Sequence, residues 1–190
     1  MGDKKNAIDR DHPGPWIIRT ESKDKGTAMG NHFEMLARWT VWANGLLYEA
    51  CARLPSEAYF LARACAFGSI HNTLNHLLAT DRIWLGRLSG EGHDIPSLDF
   101  VVCQDFESLR AERQREDERL VRIIGAVARG DLETEVNYTS MDGTPQRKPL
   151  QRVLSHIFLH HAHHRGQVHA LLSQTHVAPP ALDVTYFPLR

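Results

Sequence analysis

Residues 154–172 read LSHIFLHHAHHRGQVHALL, and this stretch decides the fold class. Leu154, Ile157, Val168, Leu171 and Leu172, with Leu150 and Val153 just upstream, recur at three- and four-residue intervals. That spacing lays a single apolar stripe along an α-helix. Pro149 stands at a favoured first-turn position, so a last long helix is expected from Pro149 to about Gln174. Histidines crowd this helix: of twelve in the chain, six fall between His156 and His169.

Working outward, three more helices can be read. The first is expected from about Asn31 to Arg53, with Asn31 as N-cap, Glu34 completing a capping box and Pro55 ending it. Ser69 caps a second, running to about Leu88, after a connection over 55–68. A loop rich in Gly, Pro and Asp follows over 90–99. The third helix spans roughly Asp105 to Ala128, and its stretch LRAERQREDERL reads as a solvated face laced with i,i+4 ion pairs. Between the third and last helices, Leu132, Val136 and Tyr138 alternate ahead of Asp142-Gly143, the pattern of a small hairpin. The expected architecture is therefore all-α, an antiparallel four-helix bundle with long connections.

Residues 1–28 are polar, contain two prolines and show no helical period, so they read as an extended N-terminal arm on which Trp16-Ile17-Ile18 can dock. Residues 29–190 then form one bundle domain, a size that suits a single core. The tail carries Val184, Tyr186, Phe187 and Leu189 and is expected to pack back. A net charge of −1 gives no electrostatic reason to expect nucleic acid or an anionic membrane as partner. No apolar run approaches the roughly 18–20 residues of a membrane span, and the N-terminus shows no apolar signal segment. Cys51, Cys65 and Cys103 form no CxxC pair, which points to a reduced, cytoplasmic setting.

Neutral imidazole is a good ligand for transition metals, and a helix stacks side chains four apart on one face. The pairs His156/His160, His160/His164 and His161/His164 are all available for a clamp. On a helical wheel His161 and His164 lie about 30° from the stripe centre, His160 about 70°, and His156 and His163 beyond about 100°. Spacing alone therefore leaves the choice between His160 and His161 open, while His163 and His169 read as solvent-facing. One helix supplies too few ligands, and the second helix offers His71, His76 and Asp81. Asp81 lies near the centre of that helix's apolar stripe and His76 on another face, so periodicity does not select His76. Asp81 reads equally well as an acceptor for an imidazole N–H or as a buried carboxylate paired with arginine. Trp39, Trp42 and Trp84 read as packing residues.

Three segments together resemble the DinB family, the DinB/YfiT-like group of metalloenzymes. They are Trp42-Ala43-Asn44, then Thr73-Leu74-Asn75-His76-Leu77 followed by Asp81-Arg82-Ile83-Trp84, and finally His160-x-x-x-His164-Arg165-Gly166-Gln167. The likeness covers about residues 30 to 189. It implies a homodimeric four-helix bundle holding one divalent metal through His76, His160 and His164. Zinc or nickel is the implied metal, with iron and manganese as further candidates. It also implies thiol S-transferase chemistry with a low-molecular-weight thiol as co-substrate. The alternatives are a metal-dependent hydrolase or a non-catalytic, stress-associated metal-binding bundle. The family name refers to damage-inducible genes, but no basic patch or nucleic-acid motif points to DNA contact. Neither a catalytic base nor a second catalytic group can be read; Arg165 and Gln167 can serve the bundle or the site.

Overall fold

The computed structural model describes residues 27–188, so residues 1–26 of the N-terminal arm, with Trp16-Ile17-Ile18, and Leu189 of the tail lie outside the described residues. Four long helices, α1 (Ala28–Cys51), α3 (Ile70–Ser89), α4 (Phe106–Val127) and α5 (Leu150–Leu172), form an all-α bundle. They are accompanied by a short helix α2 (Ser56–Phe60), strands β1 (Glu135–Thr139) and β2 (Pro145–Pro149), and a 3-10 turn at Val184–Tyr186. No described helix is long and apolar enough to cross a membrane.

The caps explain the boundaries. Ser69 Oγ accepts from the Asn72 N–H and Asp105 Oδ1 from the Ser108 N–H, each 3.0 Å or less, so α3 and α4 begin as their sequences dictate. Gly90, at φ 77°, closes α3 in the left-handed conformation that glycine adopts without strain. The start of α1 differs from the expectation. Thr27, not Asn31, is the N-cap: its hydroxyl accepts from the Gly30 N–H, and Asn31 donates its own N–H to the Thr27 carbonyl. Glu34 is left to pair with Arg129 instead of closing a capping box. At α5, Pro149 sits one residue before the helix, extended at ψ 142°, and Leu150 is the first helical residue. The hairpin forms as expected, with Glu135 opposite Pro149 and Thr139 opposite Pro145. The short α2 occupies part of the stretch read as a plain connection.

Helix α1 packs against α4 and α5, and α3 packs against the same two, so α1 and α3 occupy opposite corners. Residue pairings give the directions. Gly30 approaches Ala128 while Asn44 meets Asp117, so α1 and α4 are antiparallel. His76 meets His160 while Trp84 meets His156, so α3 and α5 are antiparallel too. Leu74 clusters with Leu109, Asp81 meets Arg113 and Leu85 clusters with Leu120, which makes α3 and α4 parallel neighbours. Parallel neighbours need a return crossing, and residues 90–105 supply it by running back along α3. Gly92 bonds to Gly86, Ile95 packs on Ala79 and Ile83, Leu98 reaches His76, and Cys103 reaches Asn75.

The core has an apolar cluster at each end. One contains Leu47, Tyr48, Ile70, Leu74, Leu109, Val168 and Leu172; the other contains Phe33, Leu85, Leu120, Ile124, Leu154 and Phe158. Between them lies a buried polar layer of Asn44, Asp81, Arg113, Asp117, His161 and Arg165. Trp39 donates to the Leu182 carbonyl and Trp42 meets Phe187, so the described part of the tail packs on α1 as expected.

The return crossing lies so close to α3 that a Cβ at position 86 would come 1.9 Å from the Gly92 carbonyl oxygen, a contact only a backbone shift can relieve. At Gly166 on α5 nothing lies within 4 Å. Gly86→Ala is expected to destabilise by about 1–3 kcal/mol through overpacking, and Gly166→Ala to stabilise by about 0.5–1 kcal/mol through helix propensity. Thermal melts of the two variants should move in opposite directions; equal shifts would contradict the close approach.

Candidate metal centre

His76 on α3 and His160 and His164 on α5 converge, with one nitrogen from each lying within 4.8 Å of the others. The Nε2 atoms of His76 and His160 are 3.2 Å apart, and the rings of His160 and His164 are 4.3 Å apart. The antiparallel α3/α5 contact makes this possible, because it sets one turn of α3 against two successive turns of α5. His76 and His164 are 4% and 8% exposed, whereas His160 is half-buried, so the cluster opens on the His160 side.

Two of the rings are anchored from behind. His76 Nδ1 lies 2.6 Å from the Leu98 carbonyl, a pure acceptor, so Nδ1 carries the proton and Nε2 presents its lone pair inward. His164 Nδ1 lies 2.8 Å from Gln167 Oε1. Phe67 stacks on His76 at 4.0 Å between ring centroids and meets the edge of His164 at 5.5 Å, forming an apolar wall beside the cluster. On the other flank His156 packs between His160 and Trp84, and Trp84 in turn sits against Tyr138 of the hairpin.

Burial pushes all three imidazoles below their ordinary range. Burial, reinforced by His164 and His76, lowers His160 to about 3. Burial lowers His164 to about 4 against the opposing bond to Gln167. His76 is lowered by burial too, opposed by its bond to Leu98. The cluster is therefore neutral at physiological pH, the protonation state in which imidazole ligates.

Asp81 resolves both of its sequence readings at once. Its two oxygens take His161 Nε2 at 2.7 Å and Arg113 at 2.6 Å. Burial would raise its carboxyl, but His161 and Arg113 outweigh that and hold it well below the usual carboxylate range. The imidazole it holds is His161, however, and not one of the converging three. His161, correctly read as inward-pointing, belongs to the polar layer, with Arg165 3.4 Å from its Nδ1. Arg165 is buried, bonded to Asn44 and stacked 4.4 Å over Trp39, so it serves the bundle. His71 bonds to Tyr59 and Asn75 away from the cluster. His156 and His163 are exposed and His169 half-buried. Phe67 and the Leu98 carbonyl are the participants that sequence reasoning missed: the first lay in a connection, and a main-chain carbonyl has no sequence signature.

The DinB family model matches residues 29–189. A curated relative, "Protein DinB" of Bacillus subtilis (strain 168), is 23% identical over 154 residues, which cover 78% of this chain and 88% of that protein.

The depressed imidazoles imply a pH dependence whose sign is fixed. In the unfolded chain they titrate near 6.5, and folded His160 and His164 titrate near 3 and 4, so between these values the unfolded state binds more protons. Stability of the metal-free protein present above about pH 6.5 is expected to fall away as pH drops toward about 4. Melts from pH 7 to 4.5 should show this decline, with a shallower slope in a His160→Ala, His164→Ala double variant. Parallel slopes would contradict the burial of these rings.

Proposed function

The chain belongs to the DinB family, and from that membership and the histidine cluster we propose that it binds one divalent metal ion through His76, His160 and His164. The observation that carries the reading is the 3.2 Å separation of two imidazole Nε2 atoms, one of them left bare by its bond to Leu98. Facing lone pairs repel unless a proton or a cation lies between them. Two nitrogens at tetrahedral positions about 2.0–2.1 Å from zinc stand about 3.3–3.4 Å apart, so the spacing fits an ion. Three neutral ligands leave coordination positions for water or substrate, the arrangement of a catalytic site. Zinc or nickel suits an all-nitrogen donor set, and iron or manganese is compatible with it.

The activity proposed is thiol S-transfer with a low-molecular-weight thiol as co-substrate. A divalent ion at this position supplies Lewis acidity and lowers the pKa of a thiol or water bound to it. The chain's own residues do the rest. The three imidazoles fix the position, the Leu98 carbonyl holds the His76 ring, and Phe67 excludes water from one side. Asp81 is committed to His161 and Arg113, while His156 packs beside His160 and His163 beside His164.

Elemental analysis of untagged protein is expected to find one ion per chain in the wild type and little in a His160→Ala, His164→Ala variant; equal content would remove the site. Conjugation assays with common bacterial thiols then separate a transferase from a hydrolase or a non-catalytic bundle.

The proposed homodimer has a candidate face in a cleft of about 830 Å³ between α1 and α5, on the side of α5 away from His160 and His164. Met29, Phe33, Leu36, Phe158 and Leu159 line it, and Leu159 is 69% exposed. The exposed Met29 and Leu159 are the apolar contacts this face offers to a second copy. Leu159→Asp is expected to convert the dimer to monomer in sedimentation velocity without lowering metal content. A wild type that sediments as a monomer would refute the dimer.

A further inference from the structure

Gln167 lies one turn beyond His164 on α5 and makes two side-chain bonds. Its Oε1 is 2.8 Å from His164 Nδ1, and its Nε2 is 3.0 Å from His163 Nε2. Residues three and four apart on a helix are neighbours, so one half-buried amide can touch both rings. A neutral imidazole carries its proton on either nitrogen, and only the form protonated at Nδ1 leaves Nε2 free to ligate. A carbonyl oxygen facing Nδ1 selects that form, because it can accept a hydrogen bond and cannot donate one. On α3 the Leu98 carbonyl does this for His76. His160 has no hydrogen bond at Nδ1 among the described residues, its only one being the contact between its Nε2 and that of His76.

We propose that Gln167 is a positioning residue that fixes His164 as the Nδ1–H tautomer and so aims its Nε2 at the ion; this rests on the metal-binding reading above. The amide is polar at both ends, and its orientation is set by what each ring offers. With Oε1 on His164, the amide N–H donates to His163 Nε2, and His163 carries its own proton on Nδ1. With the amide turned over, His164 Nδ1 would have to accept, and its proton would sit on Nε2, inside the cluster. There it would point toward His76 Nε2, which already presents a lone pair, and would occupy the place of the ion. The two orientations therefore correspond to a ring poised to ligate and a ring blocked from ligating.

The test reads the tautomer directly in metal-free protein. Long-range proton–nitrogen NMR spectra of histidine-labelled wild type are expected to show His164 protonated at Nδ1. Gln167→Leu should give a mixture or the Nε2–H form, and Gln167→Glu, which keeps an acceptor facing Nδ1, should restore the wild-type pattern. Zinc affinity, measured by competition with a chromophoric chelator, should fall roughly 10–100-fold in Gln167→Leu, the usual effect of losing the group behind a ligating histidine. It should recover in Gln167→Glu, a rescue that mere repacking of the helix surface would not give. Wild-type His164 protonated at Nε2, or a Gln167→Leu variant with unchanged tautomer and unchanged zinc affinity, overturns the proposal alone. Wild-type protein that binds no zinc, nickel, iron or manganese overturns the metal reading on which it rests.

Discussion

Asp81 is 2% exposed and cannot stay ionised there unless its charge is met on both oxygens. Arg113 of α4 meets one and His161 of α5 the other. Arg113 also pairs with Asp117, Asn44 of α1 donates to Asp117, and Arg165 of α5 bonds back to Asn44. The loop of contacts thus touches every long helix. Breaking one member of such a buried set leaves a charge unmatched, at a cost of about 3–5 kcal/mol. Apolar side chains tolerate sliding and rotation better than this, so the polar layer is what gives the bundle one arrangement.

The same layer sets the geometry of the histidine cluster. Once His161 is held against Asp81, the rotation of α5 about its axis is fixed. His160 and His164 are then carried to the flank of α5 that faces His76. An adjacent residue on a helix points about 100° away, which is why His160 can leave the core while His161 enters it. The wheel correctly placed His161 inward, and the spacing pattern left it in competition with His160. What decided between them was the partner each found on α3: a carboxylate for one and an imidazole for the other.

Most of the bundle was legible because its helices carry their own boundaries. Ser69, Asp105 and Gly90 act where local chemistry says they should. The start of α1 was misjudged because Asn31 and Glu34 make a plausible cap, yet Thr27 offers the same chemistry one turn earlier and gains four residues of helix. The parallel run of α3 and α4 was not legible, since loop length alone does not say on which side a chain returns. His76 was unreadable from periodicity because both faces of α3 are covered, one by the bundle and the other by the return crossing. Phe67 was hidden for a similar reason: nothing in a connecting segment announces which ring it will stack on.

The bond from His76 to residue 98 has an evolutionary corollary. The acceptor is a peptide oxygen, and Leu98 as a whole is 47% exposed. Every amino acid carries the same oxygen, so drift at position 98 leaves the bond intact. Insertions and deletions between residues 90 and 103 do not, since they would slide the carbonyl along α3 and away from the ring. Among relatives that keep this histidine, the length of that segment should be held more tightly than its letters.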